Sequence, residues 1–352
     1  MKKRVVKKES SSSSGSDAPK KGFQKKQQKR WWPGRSVYFL IAVLLLVPLV
    51  VMKAPELIQH FANKLRIRVP FCIDLSRPAE LSLNHTANFY LTPEDGISLG
   101  VWQTVPESLA KEAQGKDLTW YQNSLSNGNP VFIYLHGNTG SRAAAHRVGV
   151  AKLLSEHGYH VLVPDYRGFG DSTGEPTESG LTTDALYLYN WVKARCGSSR
   201  VYVWGHSLGT GVSTNAAVKL LEQGVTFDGL ILESAFCTVR QVLREHVFSW
   251  FYWKIPGHGI LFPEPWANNK LVFPTEENLK KMKNPILFLH SEDDNVVPIW
   301  IVKELYEVAV SSQNAERVKM VAFEGSLGYL HNGIYRDSRL PQIIKDFVSS
   351  SL

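Results

Sequence analysis

The chain has 352 residues, enough for one large α/β domain with appendages. Its formal net charge of +8 is concentrated at the N-terminus, where residues 1–35 hold twelve of the 40 Lys and Arg but two of the 32 Asp and Glu, so the remainder carries −2. The positive charge is a property of a tail, and the sequence therefore does not indicate a nucleic-acid-binding domain or a nucleic-acid partner.

The tail leads into an apolar segment. Residues 1–35 are rich in Ser and Lys, and we expect them to be disordered and cytoplasmic. Residues 36–53 are predicted to form a single transmembrane anchor, with a cleaved signal peptide or a buried helix as the alternatives. The basic excess on the N-terminal side predicts that this side is cytoplasmic and that the rest of the chain lies in the lumen or outside, with the bilayer as a partner. We expect a single-pass protein of the endoplasmic reticulum membrane, with the large C-terminal domain in the lumen.

A juxtamembrane segment, residues 54–80, begins with residues 54–68, whose apolar side chains have helical spacing and would lie in the membrane interface or pack on the body of the protein. The triplet beginning at Asn84 is an N-x-[ST] acceptor on the predicted lumenal side, which predicts glycosylation of Asn84. Cys72, Cys196 and Cys237 allow at most one intramolecular disulfide. Their spacing is not that of metal ligands, so we expect neither a metal nor another cofactor.

From residue 81 to the C-terminus, short apolar runs alternate with helical patterns. This alternation predicts an α/β fold in which a mostly parallel sheet is covered by helices on both faces. The predicted strands are 130–135, 159–164, 200–205, 228–233, 285–290 and 317–324, and the predicted helices lie near 142–157, 177–196, 208–223, 299–311 and 339–349.

The pattern G-x-S-x-G at residues 205–209 lies directly between a predicted strand and a predicted helix. In that context the pattern is typical of a tight turn that exposes a nucleophilic serine, here Ser207. A helix N-cap is the alternative role for this serine. Acyl transfer also needs two backbone N–H groups that bind the oxyanion, and we expect them from Leu208 and from Asn138 in the glycine-containing loop after strand 130–135.

A serine nucleophile needs a base and an acid, and in this kind of fold they follow the serine in the order acid, then His. Asp294 follows the strand 285–290 and is the predicted acid, with Glu292, Asp293 and Glu233 as rivals. Of the eleven histidines, only His331 lies C-terminal to Asp294, so it is the predicted base. A surface histidine is the alternative role of His331.

The insertion between the strands 228–233 and 285–290, about residues 236–283, is unusually aromatic. Such a segment would cover an acyl chain as a cap, or it would form a plain packing layer without a ligand.

Together, the motifs at 136–138, 165–168, 205–209, 290–298 and 328–331 resemble those of the serine hydrolases of the α/β-hydrolase superfamily. The chain is also similar, from the apolar segment to the C-terminus, to the membrane-anchored members of that superfamily that hydrolyse single-chain lipids. One departure is Asn295, where such proteins often carry Pro.

The resemblance implies a lipid substrate, with lysophosphatidylserine or monoacylglycerol as the leading candidates. A protein depalmitoylase or thioesterase would use the same triad, and a non-catalytic scaffold is a further alternative. Arg167, Arg240 and Arg244 are candidates for contact with an anionic headgroup or for purely structural roles. The oligomeric state is not indicated by the sequence.

Overall fold

The structure is a computed structural model that describes Tyr38 and residues 73–238 and 272–351. The chain divides into two compact units, Met1–Val51 and Met52–Leu352. Of the first unit only Tyr38 is described, so the predicted tail, residues 1–35, lies outside the described residues.

One eight-stranded sheet organises the described part of the second unit. Its strands are β1 (Thr86–Leu91), β2 (Leu99–Thr104), β3 (Val131–Leu135), β4 (His160–Pro164), β5 (Val201–His206), β6 (Gly229–Glu233), β7 (Ile286–Ser291) and β8 (Val318–Phe323). They lie in the order β1-β2-β4-β3-β5-β6-β7-β8. The strand β2 pairs antiparallel with β1 and with β4, whereas all pairings from β4 to β8 are parallel.

Helices cover both faces of this sheet. They are α1 (Leu118–Ser124), α2 (Ala145–Glu156), α3 (Glu178–Lys193), α4 (Leu208–Leu221), α5 (Thr275–Leu279), α6 (Ile299–Ser312) and α7 (Leu340–Ser350). Short 3-10 turns lie at Pro78–Leu81, Glu107–Leu109, Ala315–Arg317, Gly325–Leu327 and Ile334–Arg336.

The hydrophobic core has two layers because successive side chains of a strand point to opposite faces. In β3, Val131, Ile133 and Leu135 belong to one apolar cluster, together with residues of α3, α4 and α6. The intervening Phe132 and Tyr134 belong to the other cluster, together with residues of α2 and α7. All five residues of β3 are buried, as expected for a central parallel strand covered on both sides.

The predicted fold class is confirmed, since each of the six predicted strands and five predicted helices is present with ends shifted by a few residues. The strands β1 and β2 were not predicted. In β2 the sequence Leu-Gly-Val-Trp-Gln-Thr is buried along its whole length, including Gln103 and Thr104. Its mixed composition matches neither an alternating strand nor an apolar run, so no periodic pattern marks this strand.

The predicted localisation, a single-pass endoplasmic reticulum membrane protein with a lumenal catalytic domain, is wrong by this structure. None of the helices in residues 73–238 and 272–351 is long and apolar enough to cross a membrane. The longest of these, α3, has 16 residues, or about 24 Å of helix against a hydrocarbon core of about 30 Å. The predicted anchor, residues 36–53, lies outside the described residues except for Tyr38.

Other predictions fall partly outside the described residues. The predicted juxtamembrane segment is described only from residue 73 onward, and the predicted cap only at residues 236–238 and 272–283. The two described parts of this predicted segment contact each other, since the N–H of Thr275 donates to the carbonyl of Cys237 at 3.0 Å. Cys196 and Cys237 are buried free thiols, and Cys72 is not described.

Candidate active site

Ser207 occupies the turn that joins β5 to α4. Its backbone has φ 50° and ψ −117°, a conformation that costs free energy for any residue with a Cβ. The turn is held in place because the Ser207 N–H donates to the carbonyl of Glu233 at 2.9 Å, which continues the pairing of β5 with β6. Ser207 is half-buried, so its side chain lies at the carboxyl edge of the sheet rather than inside the core.

The glycines around Ser207 are required by close packing. A Cβ on Gly209 would overlap the carbonyl oxygen of Leu135 at the end of β3, and a Cβ on Gly205 would overlap the carbonyl of Gly209. A Cβ on Gly137 would lie 3.2 Å from the Cβ of Ser207. The loop after β3 therefore packs directly against the serine turn.

His331 and Asp294 form a buried pair. The Nδ1 of His331 lies 2.8 Å from Oδ2 and 3.0 Å from Oδ1 of Asp294, and the two residues are 9 % and 8 % exposed. Because a carboxylate only accepts hydrogen bonds, Nδ1 carries the proton and Nε2 of the neutral ring is left as an acceptor.

The Asp294 carboxylate is held by several donors. The backbone N–H groups of Val296 and Val297 donate to its Oδ1 at 2.8 and 2.9 Å, and the hydroxyl of Ser234 donates to its Oδ2 at 2.8 Å. Burial raises the pKa of Asp294, but the contacts with His331 and the backbone N–H groups outweigh burial and lower this pKa to about 2. The carboxylate is therefore ionised at neutral pH.

The rival acids have other partners. Asp293 accepts from the Leu330 N–H at 3.0 Å, and Glu292 accepts from the Gly325 N–H at 3.2 Å, so both tie the loop after β7 to the loop that carries His331. Glu233 accepts from the indole N–H of Trp204 at 2.9 Å, and burial raises its pKa to about 8. Of the four carboxylates, Asp294 is the one found against His331.

The loop that carries His331 is also joined to the serine turn. The Nε2 of His206, next to Ser207, lies 2.9 Å from the carbonyl oxygen of His331, and the two imidazole rings are 5.0 Å apart at their centroids. Leu330 has φ 50°, which turns the chain sharply just before His331. The parallel strands thus bring a serine, a histidine and an aspartate from distant parts of the sequence to one edge of the sheet.

The predicted oxyanion donors lie beside the serine. Leu208 is the first residue of α4, where backbone N–H groups have no partner within the helix. Asn138 is exposed in the loop after β3, next to Gly137, whose Cα faces Ser207. Both residues thus lie in segments next to the serine turn, and their role as oxyanion donors stays a prediction.

Two residues near the site were not predicted. Ser234, which follows β6, supports Asp294 and has a positive φ of 53° although it is not glycine. Arg147 in α2 is 2 % exposed and contacts the loop after β3. No sequence pattern marks either residue, because the role of each follows from its side-chain contact: Ser234 contacts a residue 60 positions away, and Arg147 contacts backbone carbonyls six to ten positions away. A non-glycine residue with positive φ is visible only in the structure.

Arg167 has acidic partners. Its guanidinium lies 2.7 Å from Oδ1 of Asp184 and 2.8 Å from Oε2 of Glu94, so its charge is balanced within the fold and it serves a structural role. Arg240 and Arg244 lie outside the described residues. Asn84 is exposed in a turn before β1, and its glycosylation stays a prediction. Within the described ranges, no group of three His, Cys, Asp or Glu is arranged to hold a metal ion.

Comparison with known proteins agrees with this architecture. Residues 130–236 match a family model described as the alpha/beta hydrolase fold. An esterase of Pyrococcus furiosus superposes with a TM-score of 0.56 at 20% identity, covering 77% of this chain and 92% of the other, and so shows the same fold.

Sequence relatives cover most of the chain. Lysophosphatidylserine lipase ABHD12 of Danio rerio is 44% identical over 316 residues, which are 89% of this chain and 83% of that protein. Protein ABHD12B of Homo sapiens is 47% identical over 283 residues, which are 80% of this chain and 77% of that protein. With identity of this level over most of both chains, and with the fold described above, the chain belongs to the ABHD12 family of α/β hydrolases and is an ester hydrolase.

Proposed function

We propose that this protein hydrolyses the acyl ester of single-chain lipids through a triad of Ser207, His331 and Asp294. The observation that carries the proposal is the 2.8 Å contact between Nδ1 of His331 and Asp294, at the same sheet edge where Ser207 sits in a strained turn. Backbone strain of this kind is common at active sites, and a buried His–carboxylate pair supplies the oriented base that an activated serine requires.

In the proposed reaction, Ser207 Oγ attacks the acyl carbonyl and its proton passes to Nε2 of His331. The Asp294 carboxylate holds the ring by Nδ1 and stabilises the imidazolium that forms. The N–H groups of Leu208 and Asn138 bind the oxyanion. The imidazolium then protonates the leaving alcohol, and water, deprotonated by His331, releases the fatty acid from Ser207.

The substrate class rests on the relatives. The Danio rerio relative is named a lysophosphatidylserine lipase, and 44% identity over 89% of this chain supports lysophosphatidylserine as a substrate. We include monoacylglycerol, because it presents the same single acyl ester without the phosphoserine headgroup. The structure supplies no headgroup contact from Arg167, since this side chain is engaged by Glu94 and Asp184.

Two measurements on purified protein test the proposal. A fluorophosphonate probe should label the wild-type protein, and Ser207→Ala should remove the label while the protein stays folded. In a substrate panel, the wild-type protein should release fatty acid from lysophosphatidylserine and from monoacylglycerol, and Ser207→Ala should release none.

The panel also includes a palmitoylated cysteine peptide and a diacyl phospholipid. Faster turnover of the peptide thioester than of either lipid would assign the protein to the depalmitoylases instead. Labelling that survives Ser207→Ala, or lipid turnover that survives it, would remove Ser207 from the mechanism.

A further inference from the structure

The guanidinium of Arg147 binds three carbonyl groups of the loop that follows β3. Its Nη2 donates to the carbonyls of Gly137 at 3.1 Å and Thr139 at 2.6 Å, and its Nη1 donates to the carbonyl of Ser141 at 2.8 Å. Alternate residues of the loop thus turn their carbonyl oxygens toward one buried cation. The carbonyl of Gly137 also accepts from Nδ1 of His136 at 2.8 Å.

The orientation of the Gly137 carbonyl fixes the orientation of the Asn138 N–H. Both belong to the same peptide group, and in a trans peptide the C=O and the N–H point in opposite directions. Because the carbonyl points to Arg147 and His136, the Asn138 N–H points away from them. Ser207 lies against this loop, as the short distance from a Cβ on Gly137 to the Cβ of Ser207 shows.

The positive charge of Arg147 also strengthens the Asn138 N–H as a hydrogen-bond donor. The side chain is almost fully buried, where interactions between charges and dipoles are stronger than in water. A cation at the carbonyl end of a peptide group polarises that group, so its N–H becomes a better donor. Arg147 reaches the loop from α2, two residues after that helix begins, so a regular helix holds the guanidinium.

We propose that Arg147 is a positioning residue of the oxyanion hole: its contacts with the Gly137, Thr139 and Ser141 carbonyls orient the Asn138 N–H toward the acyl carbonyl of the substrate. This inference rests on the proposed serine mechanism, because it assigns the Asn138 N–H to the oxyanion. In this inference, Arg147 positions the loop and does not itself contact the substrate.

Replacement of Arg147 by Met tests the inference, because Met keeps an apolar stem of similar length and loses all donors. Arg167→Met is the matched control, since it also removes a mostly buried guanidinium, one that is bound by Glu94 and Asp184 rather than by the loop. Active sites are counted by fluorophosphonate labelling to completion, and kcat per labelled site and KM are measured with a short-chain p-nitrophenyl ester.

We expect Arg147→Met to lower kcat per active site by about 10- to 100-fold with little change in KM, because a misplaced oxyanion donor weakens only transition-state binding. A trifluoromethyl ketone inhibitor, whose adduct with serine carries an oxyanion, should lose affinity by a similar factor. Arg167→Met should keep kcat per site within about twofold.

The inference is overturned if Arg147→Met lowers only the fraction of active protein while kcat per site and inhibitor affinity stay at wild-type values. A loss of equal size in Arg167→Met would overturn it as well. If Arg147→Met does not fold, Arg147→Lys decides, because a single ammonium cannot reproduce the planar fork. Its kcat per site should then fall about fivefold or more, and an unchanged value contradicts the inference.

Failure of the proposed function gives a different result. If the wild-type protein is not labelled at Ser207, or if Ser207→Ala retains turnover, the serine mechanism itself is wrong whatever Arg147→Met does. If the wild type behaves as proposed and only the Arg147 variants keep full kcat per site, the serine mechanism stands without a role for Arg147.

Discussion

The hydroxyl of Ser234 donates a hydrogen bond of 2.8 Å to Oδ2 of Asp294, the same oxygen that lies 2.8 Å from Nδ1 of His331. Ser234 is fully buried at the end of β6 and holds a positive φ of 53°. Ser234 and His331 thus both contact the carboxylate of Asp294. The position of this carboxylate therefore depends on β6, which precedes Ser234, as well as on β7, which precedes Asp294.

Ser234→Ala should lower kcat/KM for the lipid ester by about threefold to tenfold, because a neutral hydrogen bond that positions the carboxylate contributes about 1 kcal/mol. Ser213→Ala is the control, since Ser213 is equally buried but donates to the carbonyl of Thr210 within α4. Equal losses in the two variants would mean that Ser234 matters only for packing.

Asp294→Asn should lower kcat by about 10⁴, because an amide cannot hold His331 in the required tautomer or balance the imidazolium. Asp293→Asn should cost far less, within about tenfold, since Asp293 accepts from a backbone N–H of the His331 loop and not from the ring. Steady-state rates of both variants, corrected for labelled active sites, check this. The assignment of the acid fails if the Asp293 variant is the slower of the two.

The strained backbone of Ser207 predicts an unusual order of stabilities. Ser207→Gly should be more stable than Ser207→Ala by about 1 kcal/mol in urea unfolding, because Gly adopts φ 50° and ψ −117° without the Cβ clash. At Ser213, inside α4, the order should reverse, with Ala more stable than Gly by about 1 kcal/mol. The same order at both positions would mean that the Ser207 turn is not strained.

The parts of the fold that can be predicted from the sequence are those that a local sequence pattern marks. The strands β3 to β8 were found because each is a short apolar run that ends in a turn motif, as in Val131–Leu135. The start of α4 at Leu208 is predicted to the residue and the end of β5 to within one residue, since the glycines at 205 and 209 are required by contacts that tolerate no Cβ. The pairing of His331 with Asp294 followed from chain order and is present in the structure.

The missed features depend on side-chain contacts that no sequence pattern marks. Ser234 and Asp294 are 60 residues apart, and no pattern around Ser234 indicates that its hydroxyl reaches a carboxylate. Arg147 lies on the helix α2 and is buried. Most arginines are exposed, and nothing in the sequence around Arg147 distinguishes it from an exposed one. Only the packing of α2 against the loop after β3 shows what this side chain binds.

Glu233 predicts a pH dependence of stability. Its carboxyl is buried, accepts from Trp204 Nε1, and has a pKa raised by burial from 4.5 to about 8. Between these values the unfolded chain releases a proton that the folded protein retains, so the contribution of Glu233 to stability is fully present below pH 4.5 and is lost as pH rises to 8.

Glu233→Gln should therefore gain stability relative to the wild type as pH increases, with little difference at about pH 4.5 and a difference of a few kcal/mol at about pH 8. The glutamine side chain would keep an acceptor for the Trp204 N–H and would carry no titratable proton. Thermal unfolding of both proteins from about pH 4.5 to 8 measures this difference, with Glu156→Gln on the exposed end of α2 as the control. A stability difference that stays constant across this range, or that grows toward acid, would show that Glu233 is ionised in the folded protein.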